Sequence, residues 1–199
     1  MELLDTLVVV EPLIQAFERL GISYYIGGSV TSSVHGIPRA TVDVDLVADI
    51  QRKHVPLLVN MLESAYYTDR DMITEAIQRQ ASFNLIHLET MLKIDVFILK
   101  SSAYDREAFQ RRRKDVLDEE QDIELFLASP EDIILHKLDW FRMGGGISER
   151  QWTDVMGVLK VQKGHLDMPY LHHWAEELGL SDLFTQVCRD AGIDEEKPD

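Results

Sequence analysis

The sequence predicts an α/β protein, more strictly α+β, in two parts: strands and helices alternate to about residue 128, and helical patterns alone continue to residue 199. Two observations carry that expectation. The apolar period switches repeatedly between 2 and 3.6 in the first part. At Ser129 a strong helix-start signal then opens a run of helical segments separated by glycine-containing breaks. The expected organisation is a core at 1–128 and a C-terminal helical subdomain at 129–199. With 199 residues, 45% of them hydrophobic, the chain is long enough for one compact core and a small appendage.

The first expected helix ends at Leu20, with Leu13, Ile14, Phe17 and Leu20 at helical spacing, Gly21 as the stop and Pro12 in its first turn. Ile22 to Ile26 is rich in β-formers and runs into Gly27-Gly28, which marks a strand entering a tight turn. Ser29 to His35 reads as a short helix closed by Gly36 and Pro38. From Thr41 to Ala48 the pattern alternates, with Val42, Val44 and Leu46 on one face and Asp43 and Asp45 on the other. Helices are expected at 54–65 and 71–80, and strands at 82–88 and 91–99 joined by Glu89-Thr90 as an antiparallel hairpin. A helix near 104–112 precedes weaker strand pieces at Val116 and Ile123 to Leu127. Ser129-Pro130-Glu131-Asp132 combines an N-cap, a first-turn proline and acidic residues, starting a helix to Met143. Gly144-Gly145-Gly146 is a hinge, Ser148, Asp167 and Ser181 open further helices, and the charged tail from Asp194 is expected to fray.

Composition excludes several classes. No stretch approaches the roughly 20 apolar residues of a bilayer span, and the start lacks the basic-then-apolar build of a signal peptide, so a cytoplasmic protein without membrane contact is expected. Cys188, the only cysteine, reads as an apolar packing residue. A net charge of −15 excludes generalised attraction to phosphate backbones. The basic run Arg111 to Lys114 reads as a solvated helix end or a phosphate contact. His165, His172 and His173 lack a recognised zinc spacing. Trp140, Phe141, Trp152 and Trp174 read as core of the helical part. That part offers an apolar composition for a homodimer or a protein partner.

The chemistry lies in carboxylates. Asp43 and Asp45, two residues apart on a strand, project from one face and repel unless a cation lies between them. Asp95, between Ile94 and Val96, is a charge in an apolar strand, costly unless paired. Placed beside Asp43 and Asp45 it completes a three-oxygen cage suited to Mg²⁺ or Mn²⁺. Gly27 and Gly28 let backbone approach a ligand, the following helix presents N–H groups to an anion, and Ser29 adds a hydroxyl. Taken alone, Gly-Gly-Ser is equally a structural turn. Arg39 and Thr41, just before the aspartate strand, are placed either to touch a phosphate or acceptor or to lie in an exposed loop. Lys137 either points to water, pairs with Glu131 or Asp132, or serves a phosphate. His35 is a weaker candidate neighbour of a phosphate.

Gly27-Gly28-Ser29, then Asp43-Val44-Asp45, then Asp95 together resemble the signature of the nucleotidyltransferase superfamily, across about residues 10 to 100. The resemblance implies a polymerase-β-like core with a mixed sheet flanked by helices. The helical part is similar to that of AbiEii-like bacterial proteins, in which a lysine-bearing helix is followed by an arginine and an aspartate; Lys137, Arg142 and Asp154 stand in those places. By that resemblance the carboxylates bind magnesium, the Gly-Ser turn holds a nucleoside triphosphate, and the lysine assists phosphate binding or transfer. The implied reaction transfers a nucleoside monophosphate to RNA, a protein or a small molecule and releases pyrophosphate, with a toxin-antitoxin-like enzyme acting on RNA as its most specific version. The alternative is a catalytically inactive nucleotide-binding or protein-interaction module of the same fold.

Overall fold

The computed structural model describes residues 3–41, 43–118 and 123–193. Contacts divide the chain into two compact units: Met1–Val30 with Ala40–Ala128, and Thr31–Arg39 with Ser129–Asp199. The short segment Thr31–Arg39 thus groups with the C-terminal helices.

In chain order the first part of the molecule contains α1 (Leu3–Leu20), β1 (Tyr24–Ile26), α2 (Gly28–His35) and β2 (Asp43–Ala48). A 3₁₀ turn at Arg52–His54 leads into α3 (Val55–Leu62), β3 (Tyr66–Tyr67), α4 (Arg70–Arg79), β4 (Ser82–His87) and β5 (Lys93–Ile98). Then come α5 (Ala103–Gln110), β6 (Arg113–Asp118) and β7 (Ile123–Leu127). Among the described residues the strands form one seven-stranded mixed sheet in the order β3-β4-β5-β2-β1-β7-β6. The β2–β5 and β1–β7 pairs are parallel and the β1–β2 and β4–β5 pairs antiparallel.

Period-2 alternation decides what each face of the central strands does. Val44, Leu46 and Ala48 of β2 lie in register with Ile94, Val96 and Ile98 of β5, and all six are buried. The opposite face of the same pair carries Asp43, Asp45, Lys93 and Asp95, each less deeply buried or exposed. Burying the apolar set stabilises the pair through lost water contact, and a one-residue slip would send the charges into the core.

Several boundaries differ from the sequence expectation for identifiable reasons. Helix α1 starts at Leu3, so Pro12 lies inside it and not in its first turn. Pro12 is exposed while Val9, Val10, Leu13 and Phe17 are buried, so one continuous apolar face carries the helix through the missing N–H. Strand β3 was not expected, being two residues long and too short to show a period; Tyr66 is buried and its hydroxyl donates to the Val9 carbonyl at 2.5 Å. The basic run is no simple helix end, because Arg113 and Lys114 belong to β6 and the Arg112 guanidinium lies 4.6 Å from the ring centre of Phe109. Burial lowers the Arg112 pKa from its ordinary value. Val42 and the tail from Asp194 fall outside the described residues.

The second unit contains α6 (Pro130–Met143), α7 (Glu149–Val161), α8 (Met168–Glu177) and α9 (Ser181–Ala191). Helix α6 packs on α7 and α8, and α9 packs on α7 and α8. Ile133, Ile134, Leu138, Val155, Val158, Leu171, Phe184 and Cys188 form a buried core. Ser129 Oγ caps α6 by accepting from Asp132 N at 3.1 Å, and Asp167 caps α8 by accepting from Tyr170 N at 3.0 Å. Leu180, not Ser181, occupies the N-cap of α9. Gly36 lies flat against α7, where a β-carbon would stand 2.8 Å from Val158 N, so only glycine permits this approach. Trp174 is buried, but Trp140 is 39% exposed and is not a core residue. The ring of His172 meets that of Phe184, and the ring of His173 that of Trp174, edge to face. Among the described residues no helix is long and apolar enough to cross a membrane.

Candidate active site

The sheet unit brings Gly27, Gly28, Ser29, Asp43, Asp45 and Asp95 together. Alternation puts Asp43 and Asp45 on one face of β2, and the parallel register sets Asp95 of β5 directly beside Asp45, with Lys93 beside Asp43. Strand β4 adds Asn84 opposite Asp95. The Lys93 Nζ pairs with Asp95 Oδ2 at 2.7 Å, and Asn84 Nδ2 donates to Asp95 Oδ1. The hydrogen bond to Asp95, together with the field of Asp95, Asp43 and Asp45, raises the Lys93 pKa above its ordinary value against a smaller effect of burial.

The glycine turn is built around Asp45. Gly27 N donates to the Asp45 carbonyl at 2.9 Å, joining the turn to the strand that carries the carboxylates. Gly28 opens α2 with φ +56°, and a β-carbon there would lie 1.8 Å from Asp45 Oδ2 and 2.9 Å from its Cβ. The backbone therefore comes against the carboxylate itself, which only a residue without a side chain allows. Gly28→Ala carries two costs, about 1–2 kcal/mol for the left-handed backbone and displacement of the Asp45 carboxylate. The expected result is a fall in unfolding free energy of at least that size, read by denaturant titration. Unchanged stability contradicts this packing account.

Ser29 and Thr41, both buried, approach at 2.6 Å between hydroxyl oxygens, and Thr41 Oγ1 lies 3.0 Å from the Asp43 carbonyl and 3.3 Å from Asp43 Oδ1. A hydroxyl donates one proton, so the arrangement that satisfies all contacts has Ser29 donating to Thr41 and Thr41 donating to Asp43. Ser29 thereby positions the start of β2.

A second cluster lies wholly within the helical unit. Asp154 of α7 accepts from Arg39 Nε and Nη2, both at 2.8 Å, and from Lys137 Nζ at 2.7 Å; Lys137 also donates to Gln151 at 3.0 Å. Lys137 and Asp154 side chains are each 5% exposed and that of Arg39 is 28% exposed. Lys137 is thus turned inward, to Asp154 and Gln151, and not to water. Burial pushes the Asp154 carboxyl upward, but hydrogen bonds from Arg39 and Lys137 and their charges outweigh it and hold the pKa below the usual carboxylate value. Arg142 is not brought here: its guanidinium donates to the Leu178 carbonyl at 2.7 Å and to Asp139 at 2.5 Å, tying α6 to the turn after α8. His35 is buried, and its carbonyl accepts from Gln162 Nε2 at 2.9 Å.

Lys93 and Asn84 were not singled out in the sequence. The signal for Lys93 was present, since a residue two before Asp95 in a strand shares its face. Asn84 depends on the hairpin register, which the turn length alone does not fix.

The donor set can be tested for a divalent cation. Among the described residues no group of three or more histidine, cysteine, aspartate or glutamate side chains is gathered closely enough to hold an ion. Asp43 and Asp45 nevertheless offer hard oxygen donors from one face, and Asp95 stands in register beside them with its oxygens engaged by Lys93 and Asn84. The residue types fit magnesium or manganese, with Asp95 held aside by its partners.

No protein-family model matches the chain, and no curated protein matches it in sequence. Its fold, however, is that of solved nucleotidyltransferases. The chain is similar to the lincomycin-bound lincosamide antibiotic adenylyltransferase LnuA, with a TM-score of 0.51 and 14% identity over 77% of this chain and 96% of that one. It is also similar to the antibiotic-resistance factor ANT(2'')-Ia, with a TM-score of 0.56 and 15% identity over 97% and 96% of the two chains. A third likeness is to an antigenic nucleotidyltransferase-like protein from Paracoccidioides brasiliensis, with a TM-score of 0.51 and 18% identity over 92% and 90%.

Proposed function

We propose that this protein is a divalent-metal-dependent nucleotidyltransferase that moves a nucleoside monophosphate from a triphosphate to an acceptor nucleophile. The observation that carries the reading is the parallel β2–β5 register, which sets Asp95 beside Asp45 on the face that also bears Asp43, with Gly28 backbone against Asp45. The fold is shared with solved nucleotidyltransferases, an adenylyltransferase among them, which supports reading these carboxylates as serving phosphate chemistry.

Each residue then has a task. Asp43 and Asp45 would hold Mg²⁺ or Mn²⁺, which supplies charge neutralisation for the triphosphate and for the leaving pyrophosphate. The N–H groups opening α2 at Gly28 and Ser29 receive phosphate oxygens. An acceptor oxygen forms the new bond to the α-phosphorus while the bond to the pyrophosphate oxygen breaks, and pyrophosphate leaves with that electron pair. Asp95 serves as third oxygen ligand or takes the acceptor proton. The likeness of the helical part to AbiEii-like proteins belongs to this proposal, with Lys137, Arg142 and Asp154 as the residues that the resemblance implicates in nucleotide binding.

LnuA is by its name an adenylyltransferase of lincosamide antibiotics, and a net charge of −15 disfavours a nucleic-acid acceptor here. A small-molecule acceptor is therefore placed ahead of RNA, and the toxin-like reading behind it. One observation favours a second reading, an inactive nucleotide-binding module: both Asp95 oxygens are engaged by Asn84 and Lys93. Pyrophosphate release from each of the four ribonucleoside triphosphates with magnesium, screened over pools of acceptors, separates the two. Release by the wild type and not by Asp45→Asn is expected for an enzyme; nucleotide binding with no release from any pool supports the module.

A further inference from the structure

We propose that Lys93 is a built-in counter-ion that holds Asp95 in the metal-free protein and competes with the divalent cation for it. The inference rests on the metal-dependent reading above and concerns a residue to which that reading assigns no role. Three like charges on one sheet face, Asp43, Asp45 and Asp95, need compensation before any metal arrives. Lys93 is the cation placed to supply it, opposite Asp43 in the β2–β5 register and 2.7 Å from Asp95 Oδ2. The second Asp95 oxygen accepts from Asn84, so the carboxylate is gripped from its own strand and from the neighbouring one. The Lys93 side chain is 50% exposed against 15% for Asp95, so the ammonium lies open to solvent while the carboxylate is largely covered.

The consequence is an exchange. With Lys93 on Oδ2, Asp95 is turned to its partner, and the described carboxylates do not form a ready three-ligand cage. When a cation enters between Asp43 and Asp45, Lys93 is released toward solvent and Asp95 becomes available. Lys93 is therefore a positioning residue acting through Asp95. The device offsets one of the three negative charges on the sheet face without metal, at the expense of weaker cation affinity.

The test is calorimetric titration of the full chain with Mg²⁺ alone, comparing wild type, Lys93→Met, Lys93→Arg and Asp45→Asn, each with a thermal unfolding scan in chelator. Removing the competing charge in Lys93→Met is expected to tighten Mg²⁺ binding about three- to tenfold. The same variant should lower the chelator Tm and recover it when Mg²⁺ is added. Lys93→Arg keeps the charge and should bind Mg²⁺ as the wild type does, whereas Lys93→Met keeps an apolar stem without the charge, so a packing role alone would leave Mg²⁺ binding unchanged in both variants. Wild-type binding that Asp45→Asn abolishes but Lys93→Met leaves unchanged or weakens overturns the role of Lys93 and leaves the metal reading standing. Binding by neither wild type nor Lys93→Met overturns both.

Discussion

Replacing Asp45 with asparagine is expected to abolish nucleotide transfer while leaving the protein folded. Asp45 sits at the meeting point of the candidate site: it shares a face with Asp43, lies in register with Asp95 and takes the Gly28 backbone against its carboxylate. Asparagine has the same shape but removes one charged oxygen donor. Losing a metal ligand that stabilises developing phosphate charge forfeits roughly 3 kcal/mol or more of transition-state stabilisation, a hundredfold or greater fall in rate. Stability should move the other way. Removing one of three neighbouring negative charges relieves repulsion, so the Tm in chelator is expected to be unchanged or higher. A joint loss of activity and Tm would mean that Asp45 is a structural residue and the activity reading loses its main evidence.

The second large effect is expected at Asp154. Its carboxylate is the shared partner of Arg39 and Lys137, with Lys137 and Asp154 side chains each 5% exposed. Asp154→Ala leaves the Lys137 ammonium buried without its counter-charge, and breaking a buried pair from one side destabilises by about 3–5 kcal/mol. Lys137→Met should cost less, because Arg39 still pairs with Asp154. The pH dependence follows from the depressed Asp154 pKa. A group whose folded pKa lies below its unfolded value contributes fully above the unfolded pKa, about 4 for aspartate, and loses the contribution as pH falls through the folded value. The stability gap between wild type and Asp154→Asn should therefore be widest near neutrality and shrink below about pH 4. Denaturant unfolding at pH 7 and pH 3 measures it; a gap that grows with acid would contradict the ion-pair account.

The sheet chemistry was legible in the sequence to the extent that period 2 determines it. Alternation placed Asp43 and Asp45 on one face, and an apolar strand with a single internal carboxylate marked Asp95. Their adjacency was not derivable from residues alone, because parallel β2–β5 pairing spans two helices and two strands of intervening chain. The glycine turn was visible as a turn, whereas the reason for Gly28 in particular, a positive φ against Asp45, exists only in three dimensions. The Arg39–Asp154 pair spans 115 residues, and no local pattern announces such a contact. Pro12 misled because burial of Val9 and Val10 outweighs the local penalty that proline carries. Lys137 and Asp154 stand out in the sequence only through a resemblance; in the structure they bond to each other, so neither can be changed without disturbing the other.

The most direct measurement follows the two ends of the triphosphate separately. Purified protein, magnesium and an acceptor pool are incubated in parallel with α-labelled and γ-labelled nucleoside triphosphate, and the label in product and in pyrophosphate is counted. A nucleotidyltransferase places the α label on the acceptor and the γ label in pyrophosphate, with neither transfer by Asp45→Asn. Transfer of the γ label to the acceptor, or equal labelling by wild type and Asp45→Asn, would contradict the account.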